Sequence, residues 1–128
     1  MTHQDLAYEF CGFVHDFMNE INDIKFIKKT DEIFYRVCFQ KLYYALYHKM
    51  LHHDSDLSES DAPGKHDAIM QKINHSRDDQ LKQIYSKMKA LRIWADYKIN
   101  SIPPLNPPNI EYYQNQVFQI LKRTTINI

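Results

Sequence analysis

The chain has 128 residues, 44% of them hydrophobic, and its sixteen basic side chains balance sixteen acidic ones to a formal net charge of zero. That is an ordinary globular balance in a chain long enough for one domain with a real core. It excludes a protein that holds nucleic acid mainly through a broad basic surface, and leaves room for a small basic pocket or a site completed on dimerisation.

The first residues, Met1-Thr2-His3-Gln4-Asp5, lack a basic stretch followed by an apolar one, and no apolar run approaches the roughly 20 residues that span a bilayer. A cytoplasmic location without membrane contact is the expectation. From Gln4 to Asn22, Leu6, Phe10, Phe13, Val14, Phe17 and Ile21 recur three or four apart, which predicts a first helix. Lys28-Lys29-Thr30-Asp31 forms the turn, with Thr30 or Asp31 as the N-cap of a second helix from Glu32 to His53. That helix is apolar over most of its circumference, so it is either central to a bundle or buries a second face in a partner subunit. One polar seam interrupts it, made of Lys41, Tyr44, His48 and His52.

An acidic loop from Asp54 to Gly64 leads to a short third helix that starts at Lys65-His66 and continues through Ile69, Met70 and Ile73. Ser76, with Asp79 three residues on, resembles a capping box for a helix reaching Asn100. Its stripe is Leu81, Ile84, Tyr85, Met88, Leu91, Ala95 and Ile99, and Arg92 falls inside that apolar arc. Two Pro-Pro pairs, Pro103-Pro104 and Pro107-Pro108, then impose a stiff extended connection. A last helix from Asn109 to Arg123 completes an all-α, up-and-down bundle of four main helices plus one short helix. Few glycines and many helix-spaced aromatics agree with it. Cys11 and Cys38 lie on apolar stretches and read as small buried hydrophobes in a reducing compartment.

A Gly-rich phosphate loop, a CxxC pair, HExxH and GxSxG are all absent. Three polar groups remain as candidates. His48 and His52, four apart, could share a metal with His66 as a third ligand, or simply pack and hydrogen-bond; no metal or other cofactor is assigned. Arg92 could pair with Asp96 one turn on, or hold a phosphate with its planar fork, while Tyr97 points away from the apolar arc. Lys65 and His66 stand at a helix N-terminus, where an anion is favoured.

Three of these pieces in this order resemble the HEPN superfamily: Lys41-Leu42-Tyr43-Tyr44-Ala45-Leu46-Tyr47-His48, then Gly64-Lys65-His66, then Leu91-Arg92-Ile93-Trp94-Ala95-Asp96-Tyr97. The resemblance spans Ile33 to Lys98 and implies one HEPN-like helical domain over 1–128, usually a homodimer. It implies a toxin–antitoxin or antiphage setting, often beside a minimal nucleotidyltransferase. In nuclease members an Arg and a His with four to six residues between them meet in a composite cleft and cut RNA without metal. Here Tyr97 stands where that His is expected. A phenol with a pKa of about 10 is a poor base at neutral pH, so the standard nuclease activity is not favoured.

The expectation is therefore a cleft around Arg92 that engages RNA or a nucleotide, with Arg92 and His48 as candidate catalytic residues. Lys65, His66, Tyr44, Asp96 and Tyr97 are the candidate substrate-binding residues. The alternative is a non-catalytic dimeric module that binds a partner protein such as a nucleotidyltransferase, with Arg92–Asp96 a structural pair.

Overall fold

A computed structural model of the protein describes residues 1–24, 32–60, 63–101 and 109–128. Helix α1 (His3–Glu20) starts at a reciprocal cap. The Thr2 side chain accepts from the Asp5 amide while the Asp5 carboxylate accepts from the Thr2 amide. Its buried face is Ala7, Cys11 and Val14, and a single 3₁₀ turn, Ile21–Asp23, ends the segment. Helix α2 (Glu32–His53) is the axis of the molecule, with α1, α5 (Asp79–Tyr97) and α6 (Ile110–Leu121) packed around it. This central position explains its nearly uniform apolarity within one chain: Phe34, Cys38, Phe39, Leu42, Tyr43, Ala45, Leu46, Met50 and Leu51 are all buried. The predicted cap at Thr30 or Asp31 and the Pro-Pro connection lie outside the described residues.

The expected four main helices plus one short helix do not stand. Among the described residues there are six α-helices, five of them substantial. The acidic stretch after α2 contains a one-turn helix, α3 (Ser55–Ser58), where a loop is predicted. Asp54 is the reason: it caps α3 by accepting from the Leu57 amide, and its buried carboxylate is bound by Lys72 of the next helix. That helix, α4 (Lys65–His75), runs 11 residues, close to the 12 of α6, and buries Ile69 and Ile73. Ser76 does not form the predicted capping box. Asp78 caps α5 by accepting from the Leu81 amide, and Ser76 Oγ accepts from the Asp78 amide just before it.

Three cations tie the ends together, one of them buried. Lys49, only 1% exposed, donates from Nζ to Gln4 Oε1 at 3.1 Å and to the Arg123 carbonyl at 2.8 Å, and burial pulls its pKa down. Arg123 in turn binds Asp78 and Gln80 at the start of α5. Arg36 of α2 closes the other end of α5. Its Nη1 donates to the Trp94 and Ala95 carbonyls at 2.7 and 3.0 Å, its Nη2 to those of Lys98 and Ile99, and its Cζ lies 4.2 Å above the Trp94 ring. No helix among the described residues is long and apolar enough to cross a membrane.

Candidate functional site

The polar seam of α2 forms as its spacing predicts, because residues three and four apart share a helix face. It meets three other elements along its length. Tyr44 and His48 pack on Phe10 of α1, with ring centroids 6.1 and 5.7 Å away, and Lys41 Nζ lies 5.5 Å over the same ring. Nearer the end of the seam, His48 Nδ1 lies 2.9 Å from His3 Nδ1 and the two rings stack. His52 is exposed.

Helix α4 delivers the second part. Gly64, at φ 87°, supplies the left-handed N-cap from which the chain enters α4. This entry lays His66 flat on Tyr47, centroids 4.0 Å apart at 15°, with Nδ1 2.7 Å from the Tyr43 hydroxyl. Behind Tyr43, the fully buried Tyr85 turns its hydroxyl toward that phenol without closing a well-formed hydrogen bond.

Helix α5 supplies Arg92. Its Nε stands 2.9 Å from Asp96 Oδ2, an ion contact too far off line for a good hydrogen bond, and Nη2 donates weakly to the Tyr44 hydroxyl at 3.4 Å. The guanidinium carbon lies 5.5, 5.8 and 5.4 Å from the ring centres of Tyr43, Tyr44 and Tyr97. Burial opposes its charge, but the Tyr44 hydroxyl and the Asp96 carboxylate outweigh this and raise its pKa. Asp96 is braced by Gln40, whose Nε2 donates to Oδ1 at 3.1 Å. Among the described residues, Nη1 of Arg92 has no hydrogen bond.

The surroundings of the imidazoles in this seam disfavour their protonated form. Burial lowers the His66 pKa, and the Arg92 and Lys89 charges lower it further against an opposing pull from Asp67. His48 is pushed down to about 4, by burial first and then by His3 and His66. His3 is lowered by burial, then by Lys65 and His52.

The structure thus brings Tyr44, His66, Arg92, Asp96 and Tyr97 together. Tyr97 reaches Arg92 within one chain, although a helical wheel separates them. The Lys65 charge acts on His3, His48 is in contact with His3, and the imidazole that feels the Arg92 charge is His66. His48, His52 and His66 do not gather into a ligand set, and no group of three or more His, Cys, Asp or Glu among the described residues could hold a metal ion. Sequence reasoning missed Lys89, Gln40 and His3 as members. Lys89 was within reach, since it precedes Arg92 by three on the same helix face. Gln40 and His3 arrive through contacts distant in sequence and carry no local signal. Arg92 sits in a shallow seam. The grooves of about 700 Å³, between α4 and the C-terminal tail, and about 440 Å³, between α1 and α6, lie away from it.

No protein-family model matches this chain, and neither a curated protein nor a solved structure matches it significantly.

Proposed function

We propose that the Arg92 seam binds the phosphate of an RNA strand or a nucleotide. The observation that carries this reading is the state of the Arg92 fork. Asp96 takes Nε, Tyr44 takes Nη2 weakly, and the rest of a permanently charged plane faces aromatic rings, while Lys89, 3.7 Å from Asp67, adds positive charge at His66. A guanidinium with open donors in a partly dry site favours a two-oxygen anion, and phosphate matches that geometry. The HEPN-like order of the three motifs supports the same reading and, with it, a homodimer in a toxin–antitoxin or antiphage setting.

The neutral His66 favours an added catalytic role over pure binding. The role read for His48 from sequence passes to His66, the ring that feels the Arg92 charge. In the tautomer that donates from Nδ1 to Tyr43, Nε2 presents a lone pair able to take the 2′-hydroxyl proton as that oxygen attacks phosphorus. Arg92 stabilises the phosphorane, the P–O5′ bond breaks to leave a 2′,3′-cyclic phosphate, and protonated His66 returns the proton to the leaving 5′-oxygen. A second reading is favoured by the Arg92–Asp96 contact itself: a non-catalytic module in which that pair is structural and a partner such as a minimal nucleotidyltransferase docks elsewhere.

Fluorescence anisotropy with labelled RNA, in chelator, tests the proposal. Arg92→Ala is expected to weaken binding roughly 10- to 100-fold, as loss of a charge-assisted contact requires, with helical content unchanged. Gel analysis of the same samples reports strand cleavage, expected to be lost in both Arg92→Ala and His66→Ala. Equal binding by the native chain and Arg92→Ala would transfer the assignment to the interaction module.

A further inference from the structure

Resting on the phosphate assignment above, we infer that Tyr97 is a stacking platform for an unpaired base, so that the RNA taken at Arg92 is single-stranded. Tyr97 is the last residue of α5, and its ring stands 5.4 Å from the Arg92 guanidinium carbon. It is nevertheless 64% exposed, whereas Tyr43, Tyr47 and Tyr85, which also belong to this cluster, are buried.

The burial pattern separates two kinds of aromatic residue here. Tyr43 and Tyr47 spend their faces on one another and on His66, with centroids 6.3, 5.7 and 4.0 Å apart. Tyr97 makes no ring–ring contact among the described residues, and its neighbour is the Arg92 charge. A large exposed ring beside a cation with an open donor suits a ligand that has a flat face within one nucleotide of a phosphate. A base provides that face only when it is unstacked and unpaired. In duplex RNA the bases are enclosed, and the backbone phosphates alone would reach Arg92.

Anisotropy titrations with a short fluorescein-labelled oligouridylate and with a blunt RNA duplex of equal length, in chelator, test the inference. The native chain is expected to prefer the single strand. Tyr97→Ala is expected to weaken single-strand binding about 10-fold, the lower range for loss of one base–aromatic stack, while leaving duplex binding in place. Tyr97→Trp is expected to keep or improve single-strand affinity. An equal fall on both RNAs in Tyr97→Ala would mean that the ring acts only by placing Arg92, and would overturn the platform while leaving the phosphate assignment intact. No fall on either would overturn it as well. Failure of the native chain to bind either RNA would remove the phosphate assignment and this inference together.

Discussion

Acidification from about pH 7.5 to about pH 4.5 is expected to destabilise this chain before its aspartates titrate, because its sheltered imidazoles are folded in their neutral form. His48 is held down to about 4, and His3, His53 and His66 are lowered from 6.5 as well, each by burial first. A depressed histidine binds its proton less readily folded than unfolded. Its contribution is therefore fully present above 6.5 and is lost as pH falls through the folded value. For His48 the window from 6.5 to about 4 sets a ceiling near 3 kcal/mol, and solvent screening of a partly buried ring reduces this to about 1–2 kcal/mol. The other three add in the same direction. Urea midpoints at the two pH values measure the loss. His48→Gln, which keeps a polar group beside His3, is expected to flatten the dependence, and a midpoint independent of pH would contradict the neutral cluster. Below that window Asp54 and Asp78, both held low in the folded chain, extend the loss as they protonate.

Arg36→Ala is expected to reduce stability by about 2–3 kcal/mol, with the loss concentrated at the end of α5 that carries the site. The last carbonyls of a helix have no intrahelical partner and hold partial negative charge. Arg36 answers both at once by donating to the Trp94 and Ala95 carbonyls of the last turn and to the Lys98 and Ile99 carbonyls just past it, and it covers the Trp94 ring besides. Trp94 is itself pinned through Nε1, which donates to the Ser101 carbonyl at 2.6 Å. Lysine keeps the charge but cannot span four acceptors with one ammonium, so Arg36→Lys is expected to recover less than half. Chemical denaturation gives the magnitude. Amide exchange gives the location: faster exchange confined to the last turn of α5 is the expected pattern, and a loss spread evenly over the chain would contradict it.

Much of the helical plan was legible because it depends on periodicity. The α1 helix and the apolarity of α2 over most of its circumference follow from residue spacing, and of the two places that apolarity allows α2 takes the central one. Within the α1 stripe Phe13 is instead 45% exposed, while Ala7 and Cys11 are buried. The errors arise where a distant residue decides. Asp54–Gly64 reads as loop until Lys72 neutralises Asp54 and Leu57 packs against the core, which makes a turn of helix worthwhile. Ile99 fits the α5 stripe by spacing but lies past the end of the helix, 77% exposed, where Arg36 has already gathered the carbonyls. Trp94 breaks that stripe yet is buried, because Arg36 and Phe39 cover it.

The site divides in the same way. Arg92 and Asp96 are one turn apart, so their contact could be read locally. The approach of Tyr44 and His66 could not, since each comes from another helix, and only these neighbours distinguish a buried ion pair from a cation with donors to spare. Tyr97 shows the limit of a helical wheel. The wheel fixes the direction of its Cβ, whereas a long side chain on the final turn can swing its ring to the Arg92 charge.

The most direct test of the Arg92 assignment is its own side-chain resonance. In ¹⁵N-labelled protein, the Nε–H signals of Arg92 and Arg36 can be followed while single-stranded oligouridylate is added in chelator. A saturable shift of the Arg92 signal, with that of Arg36 unmoved on its carbonyls, is the expected result. Saturable binding that leaves Arg92 unmoved and shifts signals elsewhere, such as the groove between α1 and α6, would contradict it.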